Sequence, residues 1–146
     1  QRSSTWQALG IPDSSERNAG EHSAYRGWPE WIVNLKDCKD EIIFKVEGEF
    51  DNLLCIKYKN AITEIIARRR NALTIFDLSN VTFIDSSGIG LLIGRYKQVS
   101  EYNGRLIICG VNQHIKKTLA ISGIAFIIDT YEDIYENIKE LVNAYE

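Results

Sequence analysis

Histidine is scarce in this 146-residue chain: there are two, His22 and His114. That removes most general-base and nucleophile-activating chemistry, which leans on imidazole. The three cysteines, Cys38, Cys55 and Cys109, are odd in number and far apart. No C-x-x-C and no Cys/His pair has zinc spacing, so a structural metal site is excluded, and the cysteines read as reduced packing residues of a cytoplasmic protein. No apolar run approaches the roughly 18 residues of a membrane span, and no signal peptide is visible. There is no basic excess either. Lys and Arg number 17 against 20 Asp and Glu, a net charge of −3, which argues against a general nucleic-acid binder. The one basic run, Arg68-Arg69-Arg70, falls at the end of a helical pattern, where cations suit the dipole. Methionine is missing altogether and the chain begins with Gln. Residues 1–30, rich in Ser, Gly, Glu and Arg without sustained apolar periodicity, therefore read as a poorly ordered tail or the remnant of something upstream.

What remains, residues 31–146, has the makings of one domain. Apolar residues are 45% and charged residues 25% of the whole chain, ordinary values for a globular protein. Residues 31–35 read as a strand, 36–40 as a turn, and 41–48 as a second strand with Ile42, Phe44 and Val46 on one face, together a hairpin. Gly48-Glu49-Phe50-Asp51 closes it, with Asp51 or Asn52 placed to cap a helix. A helical stripe follows over 53–69 (Leu54, Tyr58, Ala61, Ile62, Ile65). Residues 73–78 read as a strand covered on both faces, and a loop from Ser79 leads to Phe83-Ile84. A helix then runs to about Tyr102, with Ile89, Leu92, Ile93, Tyr96 and Val99 inward and Gly104 as its stop. Residues 105–110 form a buried strand, and Asn112 caps a short helix ending at Ser122-Gly123. Residues 125–128 read as a last strand. A final helix carries Ile134, Ile138, Leu141, Val142 and Tyr145 on one side. The expected fold is α/β: a small mixed sheet of four to five strands starting with a hairpin, with about four helices.

The segment Asp85-Ser86-Ser87-Gly88-Ile89-Gly90 puts two hydroxyls where an apolar segment turns into a helix. Backbone N–H groups there lack intrahelical partners, and the dipole favours negative charge. A serine hydrolase is excluded because the residue two before Ser87 is Asp85, not the Gly of a nucleophile elbow, and neither histidine is placed to serve as base. A dinucleotide site is disfavoured because the glycines lie inside the helix rather than in the turn before it, and no Walker pattern exists. The remaining reading is a phosphoacceptor. From Ser87 the outward helical stripe is Gly90, Leu91, Gly94 and Gln98. Each helical glycine costs about 1 kcal/mol against alanine. A smooth groove for another backbone would account for two of them; packing of both against an element of the same domain is the structural alternative.

The segments Phe83-Ile84-Asp85-Ser86-Ser87-Gly88-Ile89-Gly90, Gly94-Arg95-Tyr96-Lys97-Gln98 and Ile121-Ser122-Gly123-Ile124 resemble the anti-sigma factor antagonists of the STAS domain family, most closely the sporulation type. Gly48-Glu49-Phe50-Asp51 resembles the family's signature after its second strand. The resemblance implies a phosphorylation-switched interaction module, not an enzyme, with no catalytic residue, metal or cofactor. It implies a cytoplasmic protein that binds an anti-sigma factor serine kinase and so releases a sigma factor for transcription. The kinase switches it off by phosphorylating Ser87, and a serine phosphatase restores it; no nucleic acid or membrane is involved. Asp51, Asp85, Ser86, Gly88, Gly90, Leu91 and Gly94 are the implied partner-binding residues. Other members of the family imply the alternative, a non-switching scaffold or sensor module in an anion transporter, a stressosome or a lipid-transport component. One departure stands out: Asn52-Leu53-Leu54-Cys55, close to the partner surface, is more apolar than the polar helix start of the family.

Overall fold

The computed structural model describes residues 32–33, 41–70 and 72–143. The expected tail, the turn at 36–40, Cys38, His22 and Tyr145 lie outside the described residues. Five strands form one mixed sheet in the order β1-β2-β3-β4-β5. They are β1 Ile32–Val33, β2 Glu41–Phe50, β3 Leu73–Ile84, β4 Arg105–Cys109 and β5 Asp129–Thr130. β1 pairs antiparallel with β2, as expected of a hairpin, and the other neighbours are parallel. Four α-helices are described: α1 Asn52–Arg68, α2 Ser86–Glu101, α3 Gln113–Ser122 and α4 Tyr135–Asn143.

Alternation along the strands sorts the core onto two faces. Ile42, Phe44 and Val46 of β2, Phe76 and Leu78 of β3, and Leu106 and Ile108 of β4 share one cluster with α1, α2 and α3. Ile43, Ile75, Ile107 and Cys109 point to the other face, where Tyr135, Ile138 and Val142 of α4 cover them. Burying both faces explains why these strands read as near-continuous apolar runs.

Three expectations need correction. The loop placed after Leu78 is strand, because β3 continues to Ile84. Ser79-Asn80 carries turn chemistry, but the Asp77 carboxylate accepts both the N–H (2.9 Å) and the hydroxyl (2.7 Å) of Ser79. The chain there absorbs a register shift against β2 instead of breaking. Residues 125–128 are not a strand. Gly123 ends α3 in the left-handed conformation (φ 85°), and a single 3-10 turn follows over Ile124–Phe126. Only Ile124 and Ile128 of that apolar run turn inward, and the strand is the two residues after it. In α4 the inward stripe is Tyr135, Ile138 and Val142, whereas Ile134 and Leu141 are exposed.

The long reach of β2 and β3 positions the functional face. Beyond the end of β4 these two strands pair only with each other and finish side by side at Phe50 and Ile84. The next residues, Asp51 and Asp85, are the N-caps of α1 and α2 with nearly the same backbone angles (φ −119°, ψ −171° and φ −115°, ψ −171°). The two helices therefore begin together and run alongside each other over one face of the sheet.

Candidate functional site

Each cap is an aspartate because a short carboxylate can reach the orphan N–H groups of the first turn. Asp51 accepts from the Leu54 N–H at 3.1 Å. Asp85 Oδ1 accepts from both Ser87 N–H (2.8 Å) and Gly88 N–H (3.1 Å). The cap leaves the Ser87 side chain half-buried, turned toward α1, where its hydroxyl donates to Asn52 Oδ1 at 3.3 Å. Ser86, one residue earlier, is exposed.

An open groove of about 430 Å³ runs between α1 and α2 from this contact. Ser87, Gly90 and Gly94 form one wall, and Asn52, Ile56 and Lys59 the other. Leu91 and Cys55 make its floor. At the far end the helices are stapled: the Arg95 guanidinium donates to the Thr63 hydroxyl, and Gln98 Nε2 donates to the Thr63 carbonyl at 3.0 Å. Burial lowers the Arg95 pKa from its usual value. The groove is thus closed by hydrogen bonds at both ends and open along its length.

The three glycines of this helix differ. A Cβ on Gly88 would stand 2.5 Å from the Phe50 carbonyl oxygen and 2.8 Å from Ile84 Cγ1, so Gly88 lets α2 seat on the strand ends. At Gly90 and Gly94 an added Cβ would meet nothing within 4 Å. Packing inside the domain therefore accounts for Gly88 and leaves the other two unexplained.

The arrangement brings Asp51, Asp85, Ser86, Ser87, Gly90 and Gly94 to one end and one side of the helix pair. It takes Gly88 into the interior and corrects the outward stripe at two positions. Leu91 is 6% exposed and belongs to the core, and Gln98 binds α1. The stripe pointed away from the sheet, but α1 lies beside α2 and covers that flank. Sequence reasoning missed the α1 wall: Lys59, Ile56 (65% exposed) and the neighbouring Leu53 (76% exposed). The apolar helix start after Asp51 was its only signal.

The Cys55 thiol is pushed up to about 11, first by burial and then by the carboxylates of Asp85 and Asp51, with Lys59 acting the other way. It stays protonated and is no nucleophile at neutral pH. Among the described residues no group of three or more His, Cys, Asp or Glu side chains could hold a metal ion.

A family model described as STAS domain matches residues 33–141. The chain is 28% identical over 109 residues to the anti-sigma F factor antagonist of Paenibacillus polymyxa, covering 75% of this chain and 93% of that protein. Among solved structures it is similar to unphosphorylated SpoIIAA, an anti-sigma factor antagonist, with a TM-score of 0.60 at 20% identity over 77% of this chain and 94% of that one. It is equally similar in fold to a sulfate transporter family protein of Wolinella succinogenes, with a TM-score of 0.60 at 17% identity over 71% of this chain and 88% of that one.

Proposed function

The chain belongs to the STAS domain family, and from the Ser87 face we propose that it is an anti-sigma factor antagonist: a phosphorylation-switched module that binds an anti-sigma factor serine kinase and so frees a sigma factor. The observation that carries this reading is the Ser87 hydroxyl at the rim of an open groove whose glycines the fold does not itself require. The curated relative of Paenibacillus polymyxa, named for antagonism of anti-sigma F factor, supports the regulatory class.

In this reading the unmodified protein docks the α1–α2 face on the kinase. The γ-phosphoryl group of ATP then passes to Ser87 Oγ. The new P–O bond forms as the bond to the bridging oxygen of ADP breaks, and the hydroxyl proton is released. The product carries about −1.5 to −2 added charges beside Asp51 and Asp85. A partner surface matched to the neutral hydroxyl is repelled, and a loss of about 2.8 kcal/mol weakens binding a hundredfold. A serine phosphatase reverses the change. The setting is the cytoplasm, where sigma factors and ATP meet.

The test is incubation with an anti-sigma kinase and ATP, read by intact mass. A gain of one phosphate that Ser87→Ala abolishes and Ser86→Ala retains supports the switch. Phosphate on Ser86 alone overturns the assignment to Ser87, and stable binding to the kinase with no transfer to either serine favours the non-switching scaffold that the transporter-type fold neighbour represents.

A further inference from the structure

The N-terminus of α2 is not free to receive a phosphate placed on Ser87. Two of its first N–H groups, those of Ser87 and Gly88, are already taken by the Asp85 carboxylate. That carboxylate would also repel a phosphate seated over the helix end. A phosphate on Ser87 must find its partners elsewhere, and the hydroxyl already points across the groove to Asn52.

The groove holds one suitable cation. Lys59 lines it and has no ion-pair partner among the described residues. Asn52, Ile56 and Lys59 occupy one face of α1, and Lys59 lies two turns, about 10 Å, beyond Asn52. Cα–Cβ bonds of a helix tilt toward its N-terminus, so the Lys59 side chain sets off on the Ser87 side of its own Cα, and its exposed four-carbon stem is free to swing along the groove. Lys59 acts electrostatically on Cys55, one turn nearer the rim, together with Asp51 and Asp85. The other groove cation, Arg95, is eight residues beyond Ser87 and is held by Thr63.

We propose that Lys59 and the groove wall around it form an internal binding site for the phosphomonoester on Ser87, so that the modified protein fills its own docking groove. Asp51 and Asp85 push the phosphate away from the rim, and Lys59 draws it inward. The off state is then occlusion as well as repulsion. The proposal rests on Ser87 being the modified residue, but its test needs no kinase.

Phosphoserine is installed at position 87 during translation by a suppressor tRNA, and the second ionisation of the phosphate is followed by 31P NMR. Phosphoserine at the exposed position 86 is the control in the same fold. The groups facing the phosphate are Asp51 and Lys59 from α1 and Asp85 and Arg95 from α2. Net attraction by Lys59 lowers the phosphate pKa at 87 by about half a unit or more against the Lys59→Gln variant. Lys59→Arg keeps the lowered value. Phosphate at 87 also slows alkylation of Cys55 at the groove floor at least threefold, and Lys59→Gln relieves the protection. Equal phosphate pKa values in wild type and Lys59→Gln overturn the proposal, as does a value at 87 above that at 86. Either result leaves the kinase reading standing. Failure of kinases to modify Ser87, with the lowered pKa present, sinks that reading alone.

Discussion

The Ser87 hydroxyl donates to the Asn52 side chain across the seam between α2 and α1, two residues 35 positions apart in sequence. At 3.3 Å the bond is long for an O–H···O contact, hence weak and easily exchanged for a partner. It exists because Phe50 and Ile84 are register partners at the strand ends, which brings both helix starts together. Asn52→Asp places a carboxylate at that point. The first turn of α1 tolerates an acid, so the melting temperature stays within about 2 °C of wild type. A third carboxylate, added to Asp51 and Asp85 beside the acceptor oxygen, disfavours phosphate there, and transfer to Ser87 by a cognate kinase falls about tenfold or more, measured by intact mass over time.

The glycines of α2 predict opposite effects from the same substitution. Gly90→Ala and Gly94→Ala each raise stability by about 0.5–1 kcal/mol, because nothing crowds the new methyl group and the unfolded chain loses freedom. Both weaken partner binding by narrowing the groove. Gly88→Ala drives a methyl group against the Phe50 carbonyl and costs about 1–3 kcal/mol. Urea unfolding of the three variants, paired with calorimetric binding to an anti-sigma kinase, checks the split. Loss of stability at Gly90 or Gly94 would return those positions to a packing role.

Exposed and buried apolar residues at the seam separate docking from folding. Leu53→Ser and Ile56→Ser remove side chains already in water, so stability changes by less than about 0.5 kcal/mol. Their loss weakens binding at least tenfold if the partner covers this ridge, as the apolar contact centre of an interface would require. Leu91→Lys buries an ammonium at the groove floor and destabilises the domain by about 3 kcal/mol or more. A Leu91→Lys protein that melts like wild type would put the residue back on the surface.

The features legible in the sequence were those written in local periodicity and capping. Asp51, weighed against Asn52, and Asn112 announced two helix starts, and both accept the N–H groups their position requires, whereas the cap at Asp85 emerged only from the structure. The hairpin and the buried strands followed from alternation and apolar runs. What stayed hidden depended on side-chain contacts and neighbours that no periodicity records. The Ser79 turn signal was absorbed by Asp77, and the run after Gly123 was read as strand because apolar content alone does not distinguish a strand from a tight turn. Leu91 looked outward because a single helix shows which face is apolar, not which neighbour covers its flank. The α1 wall with Lys59 was signalled only by the apolar helix start after Asp51, for the same reason.

Cys55 gives a prediction in pH. Its thiol lies near 9.0 without the fold and at about 11 within it, because burial and then the carboxylates of Asp85 and Asp51 disfavour the thiolate. At pH 8 the folded protein holds about a hundredfold less thiolate at this position than the unfolded chain. Alkylation mapped by mass spectrometry is therefore slow at pH 8 and climbs until about pH 11, where the same cysteine in urea levels off near 9. Linkage fixes the sign for stability: the folded state holds the proton more tightly, so the contribution is complete below about pH 9 and is lost as pH rises through 11. Cys109, pushed up to about 12 by burial and by Asp77, adds in the same direction. Unfolding free energy measured from pH 8 to 11 should fall across that window, and the fall should be smaller in Cys55→Ala. A Cys55 that alkylates at pH 8 as fast in the folded protein as in urea would mean that the groove floor is open to water and that neither burial nor the two aspartates governs the thiol.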